Sequence, residues 1–230
     1  MKSLYLLVNL FTVIVPFLFS FHPRLNFYKN WRPFFIANIL VAAIFISWDI
    51  IFTDEGVWGF NPKYVSGVYF FNLPIEEVLF FVCIPYACVF TYHCINLFYK
   101  IQLDAKFQNI LVGFISAALL ISGIYFQDKN YTAATFISLF VILFLIAFVA
   151  KANWLGKLLA VYPFLLIPFF IVNGILTGSR LEEPVVWYND NENLGFRLWT
   201  IPIEDIFYGF LLILLNIFFY EIFKKKFVRS

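Results

Sequence analysis

Apolar residues follow one another along this chain in long unbroken runs, with neither the alternation of a half-buried strand nor the polar face of a surface helix. A helix needs about 18 to 25 such residues to cross a bilayer. Seven runs answer that description: Leu4 to Phe21, Pro33 to Phe52, Pro74 to Tyr99, Asn109 to Phe126, Tyr131 to Ala150, Lys157 to Thr177, and Pro202 to Phe223. The first has the outline of a secretory signal, but no small-x-small cleavage site follows Phe21 and the run is long enough to span, so it is read as the first helix. Nearly every break between runs is short. The exceptions, Thr53 to Leu73 and Gly178 to Ile201, gather six of the fourteen acidic residues together with Trp58, Trp187 and Trp199. The pattern predicts an all-α integral membrane protein with seven transmembrane helices.

The polar breaks repeat. In the first half Asp49 to Thr53 ends a span, Val57-Trp58 and Asn61 follow, and Leu73-Pro74-Ile75-Glu76-Glu77 opens the next span. In the second half Asn173 to Thr177 ends a span, Val186-Trp187 and Asn189 follow, and Ile201-Pro202-Ile203-Glu204-Asp205 opens the last. The second loop is four residues longer. Spans one to three therefore correspond to spans five to seven, which divides the chain into a first repeat (1–100), a connector helix (101–130) and a second repeat (131–230). A one-helix connector returns the second repeat to the membrane in the same sense as the first. The repeats are thus expected to be parallel, with both acidic openings at one depth about a pseudo-two-fold axis along the membrane normal.

Composition agrees: 63% of the 230 residues are hydrophobic and 13% charged, with a mean hydropathy of +0.86. The net charge of +2 is spread over span ends, which excludes a nucleic-acid partner. Its distribution predicts orientation. The side holding the N-terminus and both long loops carries Lys2, Lys63, Lys129, Arg180 and Arg197, and the opposite side carries the other eleven basic residues. The positive-inside rule then places the C-terminus in the cytoplasm and the N-terminus outside. Cys83, Cys88 and Cys94 share one apolar run at spacings that fit neither zinc nor a disulfide framework, and His22 and His93 stand too far apart for a metal site. No metal and no cofactor is expected.

Glu76, Glu77, Glu204 and Asp205 remain as candidate chemistry. Proline and acids suit a helix's first turn, and the dipole stabilises such acids by about 0.3 to 1 kcal/mol. Two adjacent acids at the edge of hydrocarbon, appearing twice, exceed that need, because an ionisable group in a span costs on the order of 2.5 kcal/mol or more and marks a site. Adjacent helical positions diverge by about 100 degrees, so one acid of each pair is expected to face the cavity and its neighbour to support it. Matching the repeats aligns Glu76 with Glu204 and Glu77 with Asp205. Phe80 and Tyr208 follow one turn deeper. Asp49 and Asn173 either cap span ends or orient the acids, and Trp58 and Trp187 stand in the intervening loops. Pro85, Pro163 and Pro168 are expected to kink spans three and six and open room between helices.

The run Trp48-Asp49, Gly56-Val57-Trp58, Phe60-Asn61-Pro62, Asn72-Leu73-Pro74-Ile75-Glu76-Glu77, Phe80-Phe81 and Pro85-Tyr86 resembles the first half of the non-flavin lycopene cyclases, and Pro202-Ile203-Glu204-Asp205 resembles the matching second-half motif. Those enzymes occur as two small membrane subunits or as one fused chain, and this chain resembles the fused form. The resemblance implies conversion of the linear ψ-ends of lycopene to β-rings by carbocation chemistry without redox change or flavin, by an intramolecular lyase or isomerase of the cell's inner (cytoplasmic) membrane. It implies a long polyene as substrate, the lipid bilayer as surroundings and enzymes of carotenoid synthesis as partners; for that chemistry Glu76 and Glu204 are the first choice as acid and base, with Glu77 and Asp205 as partners. Asp49, Asn173, Phe80, Tyr208, Trp58 and Trp187, by their places in the two repeats, are the expected substrate-binding residues. Two alternatives stand beside it: a cyclase acting on a C50 carotenoid, and a small proton-coupled membrane transporter.

Overall fold

A computed structural model describes residues 2–99 and 101–228; Met1 and, of the basic residues counted above, Lys100 and Arg229 lie outside this range. Seven helices account for the apolar runs: α1 (Leu4–Phe19), α2 (Trp31–Asp54), α3 (Ile75–Phe98), α4 (Ala105–Tyr125), α5 (Asn130–Phe144), α6 (Leu155–Leu176) and α7 (Ile203–Val228). Lipid leaves a backbone no partner but itself, which is why the apolar runs become helices. Six of them, α5 with its π-helical extension to Val149 included, are long and apolar enough to cross a membrane; α1, with 16 residues, is shorter than the run from Leu4 to Phe21 suggests. Large apolar side chains such as Phe11 and Phe114 are 74% and 75% exposed on the outer surface, as lipid contact requires.

Matched hydrogen bonds make the duplication explicit. Tyr5 N donates to the Tyr64 carbonyl (3.2 Å), and Tyr131 N donates to the Glu192 carbonyl (2.9 Å). Ile75 N reaches Val68 O (2.9 Å) where Ile203 N reaches Phe196 O (3.0 Å). Each half carries a small hairpin before its acidic helix: β2 (Tyr69–Phe70) with β3 (Leu73–Pro74), and β5 (Arg197–Leu198) with β6 (Ile201–Pro202). Phe71 and Trp199 occupy the same turn position in the left-handed region (φ 54° and 59°), a strained setting for bulky residues.

The two long loops meet through β1 (Trp58–Phe60) and β4 (Val186–Tyr188), which pair antiparallel with Gly59 opposite Trp187. Asn61 N donates to Val185 O and Asn189 N to Val57 O, both at 2.9 Å, the same bond seen from either half. The pseudo-two-fold axis passes between Gly59 and Trp187. Those two positions are therefore equivalent, which corrects the alignment of Trp58 with Trp187. A Cβ on Gly59 would lie 2.3 Å from the Trp187 ring, so only one of the two axial positions holds a side chain. The four extra residues of the second loop fall between Thr177 and Val185.

Within each half the first helix packs on the third, α1 on α3 and α5 on α7, while α4 lies outside against α5. Between halves, α2 lies closely along α7, and its counterpart α6 touches α3 more sparingly. Asn38 Nδ2 bonds the Asn216 side chain at 3.1 Å across α2 and α7. The equivalent positions facing each other across α6 and α3 are Tyr162 and Cys88, and the Tyr162 hydroxyl instead reaches the Ile206 carbonyl on α7 (2.6 Å).

Candidate active site

Where α6 stands off from α3, a cavity of about 590 Å³ opens, walled mainly by apolar side chains. Its polar end lies beneath the paired loops, where Asp49, Glu77, Asn173 and Asp205 reach its surface with Trp58, Phe80, Tyr188 and Tyr208. From there it runs past Ile84, Phe169 and Leu212 to a mouth between α1 and α6 flanked by Phe11 and Ile171, the latter 62% exposed. Pro168 also lines it, and Pro163 and Pro168 cannot donate to the carbonyls one turn back in α6.

Helix phase decides which acid of each pair enters the cavity, and it selects the second. Glu77 and Asp205 stand at the third position of their helices and line the chamber. Glu76 and Glu204 are fully buried but turned toward the loops. Glu76 Oε1 accepts from Ser66 N at 2.7 Å, and Glu204 Oε1 accepts from Leu194 N at 2.8 Å and from Thr132 Oγ1 at 2.6 Å. The expectation that Glu76 and Glu204 face the cavity is thereby corrected: they tie each loop to the start of its helix. Trp187 is likewise absent from the lining, lying 43% exposed over Gly59, whereas Trp58 is buried and lines the chamber.

Each inward acid receives a tyrosine from the first helix of its own half. The Tyr5 hydroxyl donates to Glu77 Oε2 at 2.5 Å, and the Tyr131 hydroxyl donates to Asp205 Oδ1 at 2.6 Å. Here the halves part. Asp205 Oδ2 accepts two further bonds, from Asn173 Nδ2 (2.8 Å) and from the Tyr188 hydroxyl (3.0 Å). In the other half Asp49 replaces Asn173 and brings a second carboxyl instead of a donor. Asp49 and Glu77 lie close enough to interact electrostatically, and Asp49 Oδ2 is buried without a hydrogen-bond partner. Tyr208, its hydroxyl buried and also unpartnered, lies within electrostatic range of Asp49, Glu77 and Asp205.

Burial pushes the Tyr188 hydroxyl well above the usual phenol range, and the neighbouring Asp205 adds to the effect, so this loop residue keeps its proton as a donor. Tyr5, Tyr131 and Tyr188 were not singled out from the sequence, although Tyr5 and Tyr131 hold the same place in the first helix of each repeat. Among the described residues no cluster of His, Cys, Asp and Glu could hold a metal ion.

Fold and site together define a multi-pass membrane protein with a duplicated three-helix unit, in which an acid and a tyrosine from each unit meet at one apolar chamber. A family model described as lycopene cyclase matches residues 2–95 and again 128–223, and the chain belongs to that family. It is accordingly a carotenoid cyclase, acting on a polyene within the lipid bilayer. No curated protein and no solved structure matches it.

Proposed function

We propose that this cyclase converts the linear ψ-ends of lycopene to β-rings by proton transfer alone, with Glu77 and Asp205 as the reacting pair. The observation that carries the reading is the convergence of these two repeat-related carboxyls, with Asp49 beside one of them, on a single greasy chamber open to lipid between α1 and α6. A polyene dissolved in the bilayer enters through that mouth end first.

The two halves then take different roles. Two neighbouring carboxyls in a water-poor site hold a proton between them, because both cannot be ionised at low cost. Asp49 and Glu77 are such a pair, so the proton delivered to the terminal double bond of the ψ-end is held between them, with Glu77 as the member that hands it over. The cation formed at the neighbouring carbon is attacked by the next ring-closing double bond, which makes the new carbon–carbon bond and moves the positive charge into the ring. Asp205, whose oxygens accept three donated hydrogen bonds, suits the carboxylate that removes a ring proton and restores a double bond. One proton is added and one is lost, so the net change is an isomerisation. The faces of Trp58, Phe80 and Tyr208 stabilise the cation by about 0.5 to 2 kcal/mol for each well-placed ring. Glu76 and Glu204 hold the site together from behind, and both long loops lie on the outer side of the cytoplasmic membrane, with the C-terminus inside.

Expression in a lycopene-accumulating bacterium tests this: red cells turn orange or yellow, and chromatography identifies the ring. Glu77→Gln and Asp205→Asn are expected to cut ring formation by about a hundredfold to ten-thousandfold, the usual contribution of a general acid or base, with unchanged amounts of protein in the membrane. Wild-type pigment in either variant would remove that residue from the chemistry. A wild-type enzyme that leaves lycopene untouched but closes the ends of a C50 carotenoid would move the substrate to that class.

A further inference from the structure

The far end of the bundle, opposite the acid cluster, contains a second cavity that the cyclisation does not use. It has a volume of about 560 Å³ and lies between the end of α3, the start of α6 and the end of α7. Lys157, Lys224 and Lys225 line it against one carboxylate, Glu221, and no ion pair involves any of the three lysines among the described residues.

A bland explanation covers part of this. Lys224 and Lys225 belong to the last turns of α7, where cations complement the helix dipole. Lys157 breaks that account. It sits in the first turn of α6, whose N-terminus is positive, carries no side-chain cap and faces the two α7 lysines. Tyr220, only 1% exposed, also lines the cavity; its hydroxyl is buried without a hydrogen-bond partner, and Lys224 Nζ lies 5.3 Å from its ring centre. Three cations against a single carboxylate, beside an orphaned buried donor, suit a phosphate-type oxyanion. Set at the polar edge of the lipid-facing helices, they point to its source.

We propose that this cavity is a phosphate-binding site that holds the headgroup of an anionic phospholipid from the adjoining leaflet. A phosphodiester supplies charge for the lysines and an acceptor for the Tyr220 hydroxyl.

The test uses the full chain in nanodiscs of mixed phosphatidylcholine and phosphatidylglycerol, with retained lipid counted by native mass spectrometry and unfolding followed by tryptophan fluorescence. Wild-type protein is expected to retain phosphatidylglycerol over phosphatidylcholine and to gain several degrees of Tm from it. The double variant Lys157→Gln/Lys224→Gln should bind phosphatidylglycerol at least tenfold more weakly, while Lys29→Gln, a basic residue outside the cavity, should not. Tyr220→Phe should weaken retention several-fold and leave Tm in pure phosphatidylcholine unchanged, which separates binding from folding if the double variant proves unstable. Inorganic phosphate that displaces phosphatidylglycerol would support the headgroup as the recognised part; phosphate that binds as tightly as the lipid would give the site a soluble source and overturn the lipid assignment. Equal retention of both lipids, or undiminished phosphatidylglycerol retention in the double variant, overturns the site. None of these readouts depends on cyclisation.

Discussion

On one flank of the pseudo-two-fold axis α2 lies along α7 with Phe45 and Trp48 against Tyr208, ring centres 5.1 and 5.4 Å apart. On the other flank the same interface is made by α6 and α3, and there the chamber opens. The positions correspond one to one: Phe45 with Phe169, Trp48 with Val172, Asn38 with Tyr162, Phe81 with Gly209. Trp48 is bulky where Val172 is slight. Phe81 packs beside Phe45 at 5.9 Å, whereas Phe169 lies over Gly209, where an added Cβ would meet its ring at 3.5 Å. One flank also has an Asn38–Asn216 bond across its helices, which the other lacks. A duplicated bundle offers two equivalent interfaces, and a few side-chain volumes determine which becomes solid and which becomes a site.

Filling the open flank is the most direct test of the difference between the two. Val172→Trp puts the side chain of the solid flank into the chamber, and pigment chromatography is expected to show ring formation reduced at least tenfold with membrane protein levels intact. Full activity would mean that the chamber is not where the polyene binds. The converse change, Trp48→Val, should leave a void in the solid flank and cost roughly 2 to 3 kcal/mol, somewhat less than truncating a buried tryptophan to alanine, read as a lower Tm in detergent. Gly59→Ala probes the axis, with an expected penalty of about 1 to 3 kcal/mol from overpacking. Trp187→Gly in the same chain should restore most of it, since the new Cβ meets the indole. Asn216→Leu removes the cross-helix bond of the closed flank, and about 0.6 kcal/mol is the typical worth of such a bond in a membrane.

The smallest effect concerns the loop tyrosine. Native Tyr188 keeps its proton above the usual range, so the unfolded state alone releases it near pH 10. Its contribution is thus fully present below pH 10 and lost as pH rises beyond that. Thermal melts from pH 8 to 11 should fall less steeply in Tyr188→Phe than in wild type above pH 10; parallel curves would refute this.

The seven helices, the pairing of the halves and the acidic openings were legible because each rests on local sequence: run length for a span, the order of polar breaks for the repeat, proline and acid for a helix start. The inward members of the acid pairs were not. Glu76 and Glu77 have the same residue type in the same helical turn, and contacts from distant segments, Ser66 N on Glu76 and the Tyr5 hydroxyl on Glu77, tell them apart. Tyr5 and Tyr131 reach their acids across 72 and 74 residues, and nothing in an apolar run distinguishes a tyrosine that anchors at an interface from one that donates inside.

Hydrophobic run lengths and their repetition were sufficient by themselves to determine a duplicated helical membrane protein with acids at matched helix starts, since lipid enforces helices on any such run. Which acid looks inward, which flank stays hollow and where the tyrosines point were decided by packing between segments far apart in the chain. Helix rotation and side-chain volume act only once the helices touch.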